Sequence, residues 1–398
     1  MAILAIRPLV VALLVVLLPV DVAAQGRATA AGPGARATEG VPAWAGAIDT
    51  FRLRLRADVA ADDVGGITAA VVVGDRMIWA EGFGWADRGR RIPAGVETIY
   101  RVGSISKSFT AVAMMQLADQ GSLSLDMAVA RVLPQANGFA QPRAGGRPVT
   151  FRHLASHTAG LVREPDLDGA AAGPIEEWER KVLASIPATR FDTIPGARYA
   201  YSNIGFGVLG LAISRAGSTE FRTLVTRGIF DRLGMTQSTF VVPHDDLRHL
   251  AVGYDNGRDG RIDRERPAVE HRGRGYKVPN GGIYSTLGDL ARFIAGMTGA
   301  AGDALLPLES RLEMMRQQAA VSDSAGYGLG FELRTGSDGR WYVGHGGSVA
   351  GYTAHIVFEP ESGVGVILLR NYGTGRTNLR QASRRLAEEI VLRSAMAK

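Results

Sequence analysis

The stretch Arg101-Val102-Gly103-Ser104-Ile105-Ser106-Lys107-Ser108-Phe109-Thr110 contains the most informative residue of this sequence, Lys107. Lysine accounts for only four of the 45 basic residues, at positions 107, 181, 277 and 398, and arginine accounts for the rest. Arginine keeps its proton at any working pH, whereas a partly buried lysine can release one. In a sequence whose basic residues are otherwise almost all arginine, a lysine at this position therefore indicates a task that needs a neutral amine, such as accepting the proton of the Ser104 hydroxyl.

Ser104 is predicted to open a helix that ends near Gly121. Residues three apart lie on one face of a helix, so Ser104 and Lys107 are expected to be neighbours. Apolar residues occupy most sides of this segment, which predicts a buried core helix. Burial lowers the pKa of a lysine, and a helix N-terminus offers free N–H groups to a developing oxyanion. The alternative is a serine that caps a helix beside a surface lysine.

A second segment with chemical potential is Tyr201-Ser202-Asn203. A tyrosine near cations can donate or relay a proton, and an asparagine can hold a lysine through its carbonyl oxygen and a substrate amide through its NH₂ group. The alternative is structural: Pro195-Gly196 forms a turn, Ser202 or Asn203 caps the next helix, and Tyr201 serves only in packing.

A third segment, Gly344-His345-Gly346-Gly347-Ser348, follows a predicted strand. Glycines let a strand edge come close to a ligand, and a backbone N–H there would complete an oxyanion hole with that of Ser104. A glycine-rich turn or bulge is the alternative interpretation.

Together the three segments resemble the motifs of the serine β-lactamase and penicillin-binding protein superfamily, in its class C β-lactamase-like branch of DD-peptidases, D-aminopeptidases and esterases. That family has Ser-x-x-Lys, then Tyr-x-Asn, then Lys/His-x-Gly, and this chain has the same order at 104–107, 201–203 and 345–347. The segments Phe151–Leu161 and Gly281–Thr286 add to the likeness, which extends over about residues 45–395.

The resemblance implies the part that each motif residue plays. Ser104 would be the nucleophile that carries the acyl group, and Lys107 and Tyr201 would share the general-base and general-acid work in an order that stays open. Asn203 would orient Lys107 and the substrate. The remaining implied residues bind the substrate or its oxyanion: His345, Gly347 and Ser348.

Position 345 departs from the β-lactamases proper, which have Lys-Thr-Gly here. A lysine offers a permanent cation to a substrate carboxylate, whereas a histidine is mostly neutral at neutral pH. The substitution therefore favours a peptidase or esterase over an efficient β-lactamase.

The predicted elements place strands at both ends of the chain and helices in the middle. A helix is expected over 44–61, a hairpin over 67–73 and 77–82, and a mainly helical stretch over 123–248. Ser285-Thr286, followed by Asp289, resembles a capping arrangement that opens a further helix ending near 297. Strands over 341–344, 352–359 and 364–369 precede a closing helix over 381–395. We expect an α/β (α+β) fold, in which an antiparallel sheet flanked by helices carries an inserted, mainly helical lobe, as the β-lactamase/transpeptidase likeness also implies.

The first residues have the composition of an export signal. Arg7 precedes an apolar run over 8–20, and Val22-Ala23-Ala24 supplies the small residues that a signal peptidase reads. The run is shorter than the ~20 residues of a spanning helix. We predict a signal peptide over 1–24, a flexible lead-in over 25–43 and a serine hydrolase domain over 44–398, hence a periplasmic or secreted protein with no stable membrane anchor after cleavage.

Composition narrows the possible functions further. The arginines are scattered, so the net charge of +6 does not predict a nucleic-acid surface. The chain has no cysteine, which excludes a thiol nucleophile and thiolate zinc sites. His153 and His157 have helical spacing, but no glutamate follows His153 as in the zinc-protease motif, so neither a metal nor another cofactor is expected.

Two classes of function remain open at this stage. The first is a hydrolase acting on a small-molecule or peptide substrate through an ester or amide bond. The second is a sensor of the same fold that binds penicillin or peptidoglycan and stays acylated without turnover.

Overall fold

The computed structural model describes residues 44–140, 147–256 and 262–396. The predicted export signal over 1–24 and lead-in over 25–43 lie outside the described residues. In the described ranges, no helix has both the length and the hydropathy that crossing a bilayer would require.

The regular elements follow the predicted order of strands at both ends and helices between them. The α-helices are α1 (Ala45–Asp62), α2 (Ser106–Asp119), α3 (Phe151–Ala155), α4 (Trp178–Ser185), α5 (Asn203–Ala216), α6 (Phe221–Val225), α7 (Asp231–Leu233), α8 (Glu265–Glu270), α9 (Val278–Gly281), α10 (Leu287–Thr298), α11 (Leu308–Met315) and α12 (Leu379–Met396). The strands are β1 (Gly66–Val73), β2 (Arg76–Asp87), β3 (Ile92–Pro93), β4 (Tyr100–Arg101), β5 (Asp255–Asn256), β6 (Ile262–Asp263), β7 (Tyr284–Ser285), β8 (Ala319–Ser322), β9 (Ala325–Tyr327), β10 (Glu332–Thr335), β11 (Trp341–Val349), β12 (Tyr352–Phe358) and β13 (Val364–Arg370).

An antiparallel sheet forms the centre of the described part of the chain. Its nine strands have the order β3-β2-β1-β13-β12-β11-β10-β9-β8. The first and last long strands are neighbours, in a register that runs from Ile67 opposite Arg370 to Val73 opposite Val364. The predicted fold class, an antiparallel sheet completed by segments from both ends of the chain and flanked by helices, is confirmed.

Helices cover both faces of this sheet. In β1, Ala70 and Val72 belong to the core shared with α2, α5 and α10, whereas Ile67, Ala69 and Val71 belong to the core shared with α1 and α12. Successive side chains of a strand point to opposite faces, so a strand that is apolar at every position is buried on both sides.

Helix α2 lies inside the first of these cores. Every residue from Ser106 to Leu117 is buried, and the ring of Phe109 stacks on that of Phe293 at 4.0 Å between centroids. Gly121 follows the helix with a φ of +73°, a left-handed conformation that glycine adopts at little cost. The predicted buried core helix is confirmed, with Ser104 in a 3₁₀ turn (Gly103–Ile105) that leads into it.

The stretch over 123–248 is less helical than predicted, because all of its α-helices except α5 are short and long turns join them. One reason lies at Gly160, whose φ of +74° no helix accepts and whose Cβ, if present, would clash with the carbonyl oxygen of Thr193. A side chain at this position would push the chain away from the loop that leads to Tyr201. The turn at Gly160 therefore packs directly on the loop that leads to Tyr201.

Candidate active site

Ser104, Lys107 and Tyr201 meet at the start of α2. The amine Nζ of Lys107 lies 3.0 Å from the hydroxyl oxygen of Ser104, and the Tyr201 hydroxyl donates to the same oxygen at 3.0 Å. Ser104 is partly exposed, whereas Lys107 is fully buried. The structure thus brings together three side chains that are distant in sequence, with the reactive oxygen at the accessible end.

The surroundings of Lys107 favour its neutral form. Burial lowers the pKa of this amine well below its usual value, and the positive charges of Arg163 and Arg274 lower it further, while the carboxylate of Glu164 opposes them. A buried amine surrounded by cations holds its proton weakly, because the charged form loses hydration and is repelled. Such an amine can act as a base near neutral pH.

The surroundings of Tyr201 favour its protonated form. Burial raises its pKa to about 12, although the hydrogen bond to Ser104 and the charge of Arg163 act against this. The guanidinium of Arg163 lies over the Tyr201 ring at 4.8 Å from its centroid, and the His157 ring packs on it at 4.2 Å. At neutral pH Tyr201 is therefore a protonated phenol that donates to Ser104.

Asn203 contacts Lys107 through its side-chain carbonyl oxygen. Its Oδ1 accepts from the amine at 2.8 Å, as the sequence predicted, but its Nδ2 donates to Glu164 at 2.7 Å. The NH₂ group expected to hold a substrate amide thus already has a protein partner. Ser202 caps α5 by accepting from the backbone N–H of Gly205 at 2.9 Å, so the structural interpretation of this tripeptide also holds for Ser202.

The glycine-rich segment is a strand rather than a turn, and it contacts the nucleophile turn. In β11, Gly346 and Gly347 pair with His355 and Ala354 of β12. A Cβ at Gly347 would clash with the carbonyl oxygen of Val102 and would lie 3.2 Å from the Ser104 amide nitrogen. Only glycine allows this approach, which brings the backbone of β11 beside the backbone N–H of Ser104.

Ser348 lies at the same contact, since a Cβ at Gly103 would lie 2.8 Å from the Ser348 amide nitrogen. Gly103 has a φ of +54°, which permits the tight turn before Ser104. The N–H groups of Ser104 and Ser348 thus belong to two segments in direct contact, so the predicted pairing of these two donors in an oxyanion hole stays a prediction that the backbone contact allows.

His345 is buried and neutral. Its Nδ1 lies 2.7 Å from the Gly346 carbonyl oxygen, which can only accept, so Nδ1 carries the proton and Nε2 accepts from the Tyr327 hydroxyl at 2.9 Å. Burial lowers the pKa of His345 to about 4, with Glu332 acting in the opposite direction. Both ring nitrogens therefore have protein partners, and no cation is present at this position for a substrate carboxylate.

A cleft of about 710 Å³ opens beside Tyr201, Gly347 and Ser348. This volume is within the range of small-molecule sites, roughly 300–1,000 Å³. Among the described residues that line it, one is acidic, Glu332, and four are arginines: Arg163, Arg334, Arg370 and Arg380. The cleft therefore favours neutral or negatively charged ligands.

Two residues with close contacts to the site escaped the sequence analysis. The backbone carbonyl of Asn280 accepts from Lys107 at 3.2 Å, and the Asn280 side-chain Nδ2 donates to the backbone carbonyl oxygen of Asn203 at 2.9 Å. Glu164 accepts from Asn203. Asn280 and Glu164 lie next to the segments Gly281–Thr286 and Phe151–Leu161, which support the family likeness, and this proximity was the only indication in the sequence. Neither a backbone contact nor a carboxylate in a loop belongs to a recognisable sequence motif.

His153 and His157, the two histidines at helical spacing, do not face a common site. The Nδ1 of His153 accepts from the backbone N–H of Thr150 at 3.3 Å, and the Nδ1 of His157 accepts from that of Ser202 at 3.1 Å. Each ring thus stabilises a different stretch of backbone. Across the described ranges, no group of histidine and acidic side chains has the arrangement of a metal site.

Comparison with known proteins is consistent with this geometry. A family model described as Beta-lactamase matches residues 51–389. The chain is 27% identical to the D-alanyl-D-alanine-carboxypeptidase/endopeptidase AmpH of Escherichia coli (strain K12), over 58% of this chain and 56% of that protein, so the match spans little more than half of AmpH. It is 28% identical to Penicillin-binding protein 4 of Amycolatopsis lactamdurans, over 82% of this chain and 85% of that protein.

A solved structure shares the fold. The octameric penicillin-binding protein homologue from Pyrococcus abyssi superimposes with a TM-score of 0.73 at 26% identity, covering 88% of this chain and 78% of that one.

Proposed function

Because this chain belongs to the β-lactamase family, we propose that it is a serine hydrolase that cleaves an ester or amide through an acyl group on Ser104. One observation supports this proposal above the others: the Ser104 oxygen lies 3.0 Å from both the Lys107 amine and the Tyr201 hydroxyl. A hydroxyl held between a buried amine and a phenol is the arrangement of an activated nucleophile.

In the proposed acylation step, Lys107 is the base and Tyr201 is the acid. The lowered pKa of Lys107 supplies the lone pair that accepts the Ser104 proton, as Ser104 Oγ attacks the substrate carbonyl carbon. Tyr201, protonated at neutral pH, donates its proton to the leaving oxygen or nitrogen and recovers one from Lys107. The negative charge on the carbonyl oxygen is stabilised by the N–H groups of Ser104 and Ser348.

Hydrolysis of the acyl group reverses these proton transfers. Water attacks the ester carbonyl, gives a proton to the base, and Ser104 Oγ leaves with a proton returned from the same pair. No step requires a metal or another cofactor, so we propose that the residues of the chain suffice.

The substrate we propose is a small molecule or peptide with an ester or amide bond. The size and positive lining of the cleft support a neutral or anionic substrate. The name of AmpH as a D-alanyl-D-alanine carboxypeptidase makes peptides that end in D-alanine the first amide substrates to test. Export through residues 1–24, to the periplasm or the medium, is part of the same proposal.

We expect efficient ester cleavage and slow β-lactam turnover. The expectation concerns position 345, where the neutral His345 offers a substrate carboxylate no cation. Two of the four cleft arginines already have partners, since Arg380 pairs with Glu332 and Arg370 donates to the Thr377 carbonyl oxygen at 3.0 Å, and Arg163 and Arg334 are the cations that could bind a carboxylate elsewhere in the cleft. A missing charge-assisted hydrogen bond costs about 1.5–3 kcal/mol, or roughly a 10- to 100-fold lower rate. Nitrocefin hydrolysis should therefore be at least about 10-fold slower in kcat/KM than p-nitrophenyl butyrate hydrolysis; equal or faster nitrocefin turnover would show that another cation binds the carboxylate.

Intact-protein mass spectrometry tests the proposal as a whole. After mixing with p-nitrophenyl butyrate, a D-alanyl-D-alanine peptide or a penicillin, a hydrolase should carry the acyl mass transiently and return to its free mass, with the adduct on the peptide that contains Ser104. A sensor would keep the adduct, and absence of any adduct would contradict both functions. The free mass also checks export, because cleavage after Ala24 leaves Gln25 as the first residue.

A further inference from the structure

The three contacts of the Lys107 amine determine which of its neighbours must accept a hydrogen bond from it and which can give it a proton. Its amine contacts Ser104 Oγ, Asn203 Oδ1 and the backbone oxygen of Asn280, at 3.0, 2.8 and 3.2 Å. A neutral amine has two N–H donors and one lone pair. If both donors go to the carbonyl oxygens of Asn203 and Asn280, the lone pair remains for the Ser104 proton.

This arrangement depends on which end of the Asn203 amide faces Lys107. With the NH₂ end turned inward, the amide would present a donor to the amine, and the lone pair would be drawn toward Asn203 instead of Ser104. The Asn280 contact cannot change in this way, because it uses a backbone carbonyl. The orientation of the Asn203 side-chain amide therefore decides whether the lone pair of Lys107 faces Ser104.

Glu164 fixes that orientation. One carboxylate oxygen accepts from Asn203 Nδ2 at 2.7 Å, and a carboxylate cannot donate, so only the NH₂ end can face it. The other oxygen accepts from the Tyr276 hydroxyl and pairs with Lys277 Nζ at 3.1 Å. These two contacts hold the carboxylate in place, although its side chain is 40% exposed.

The negative charge of Glu164 also acts on the pKa of the Lys107 amine. The cations that face the amine are Arg163, Arg274 and Lys277, each of which lowers its pKa, and Glu164 is the carboxylate that raises it. The neutral His157 and His345 and the protonated Tyr201 are further titratable groups near the amine. Loss of the Glu164 charge would therefore leave Lys107 with cations alone.

We propose that Glu164 is a positioning residue: it orients the Asn203 amide so that the Lys107 lone pair points at Ser104. The inference rests on the proposed function for its consequence in catalysis, but the link between Glu164 and Lys107 is a property of the protein without substrate. The two can therefore be tested separately.

The test uses the scarcity of lysine in this chain. Lysine labelled with ¹³C at the ε-carbon gives signals from only four residues, and the Lys107→Ala variant identifies that of Lys107. In Glu164→Gln the size of the side chain is kept while its charge and its acceptor-only character are lost. We expect the Lys107 signal to titrate at lower pH than in the wild type, and acylation by p-nitrophenyl butyrate to slow about 10- to 100-fold, as misplaced catalytic groups do.

Two further variants separate positioning from a merely structural contribution. Glu179→Gln removes a carboxylate that pairs with Arg215 at 2.8 Å on another helix, and should leave both the titration and the rate unchanged. Glu164→Asp keeps the charge with a shorter reach, and should slow acylation with a smaller change in the titration midpoint. An unmoved Lys107 titration in Glu164→Gln would overturn the proposal even if the rate fell, whereas failure of the wild type to become acylated would count against the hydrolase function and not against this link.

Discussion

Replacement of Ser104 by alanine is expected to reduce hydrolysis of p-nitrophenyl butyrate by about 10⁴-fold or more, because loss of a nucleophile leaves only binding and oxyanion stabilisation. The hydroxyl removed is the one that both Lys107 and Tyr201 contact. Initial rates measure the loss, and intact-protein mass spectrometry should find no acyl adduct. Because Ser104 is partly exposed, water can replace its hydroxyl, and the melting temperature should stay close to that of the wild type.

Ser106→Ala is the matched control for this variant. Ser106 is in the same segment, but its hydroxyl accepts from the Ile283 backbone N–H at 3.2 Å and belongs to the packing of α2. We expect this variant to lose stability and keep turnover, the reverse of Ser104→Ala. Normal turnover by a folded Ser104→Ala protein would contradict an acyl-serine mechanism and point to direct attack by water.

The sequence predicted those parts of the fold that have a strong period or a local signal. The apolar runs of β1 and β13, the apolar surface of α2 and the Ser285-Thr286 cap signal of α10 each come from a few adjacent residues, and the structure has all of them, with Thr286 as the capping residue. Strands β8, β9 and β10 were missed. They are short, lie at one edge of the sheet and contain the glycine of Ala325-Gly326-Tyr327, so they have neither an apolar run nor a clear alternation.

The site was predictable to the extent that its residues occur in motifs. Ser104, Lys107 and Tyr201 meet as their spacing and the family likeness implied. The His345 ring shows where such inference stops: its residue type predicted a mostly neutral group, but only the fold shows that both nitrogens are occupied by Tyr327 and Gly346. Contacts that join segments far apart in sequence, as between Glu164 and Asn203, are set by tertiary packing.

Lys107→Arg is expected to reduce turnover of the same ester by about 10²- to 10⁴-fold, the usual contribution of a general base. An arginine keeps a positive charge beside Ser104 but cannot release its proton, so it removes the base while it preserves the charge. The matched control is Lys181→Arg, at a surface lysine whose amine donates to the Gly169 carbonyl oxygen at 2.8 Å, a contact that arginine can also make. This control should keep the wild-type rate.

Because Lys107 is fully buried, a guanidinium at its position differs from the amine in size as well as in chemistry, and chemical rescue separates the two effects. Lys107→Ala leaves a space between Ser104 and Asn203 that methylamine can enter. If the lysine acts as a base, added methylamine should restore part of the ester turnover, with a rate that rises with pH as the free amine forms, whereas guanidinium at the same concentration should restore none. Equal rescue by both cations, or a near-normal rate in a folded Lys107→Arg protein, would mean that a positive charge suffices and that Tyr201 must accept the Ser104 proton, despite a pKa that burial raises to about 12.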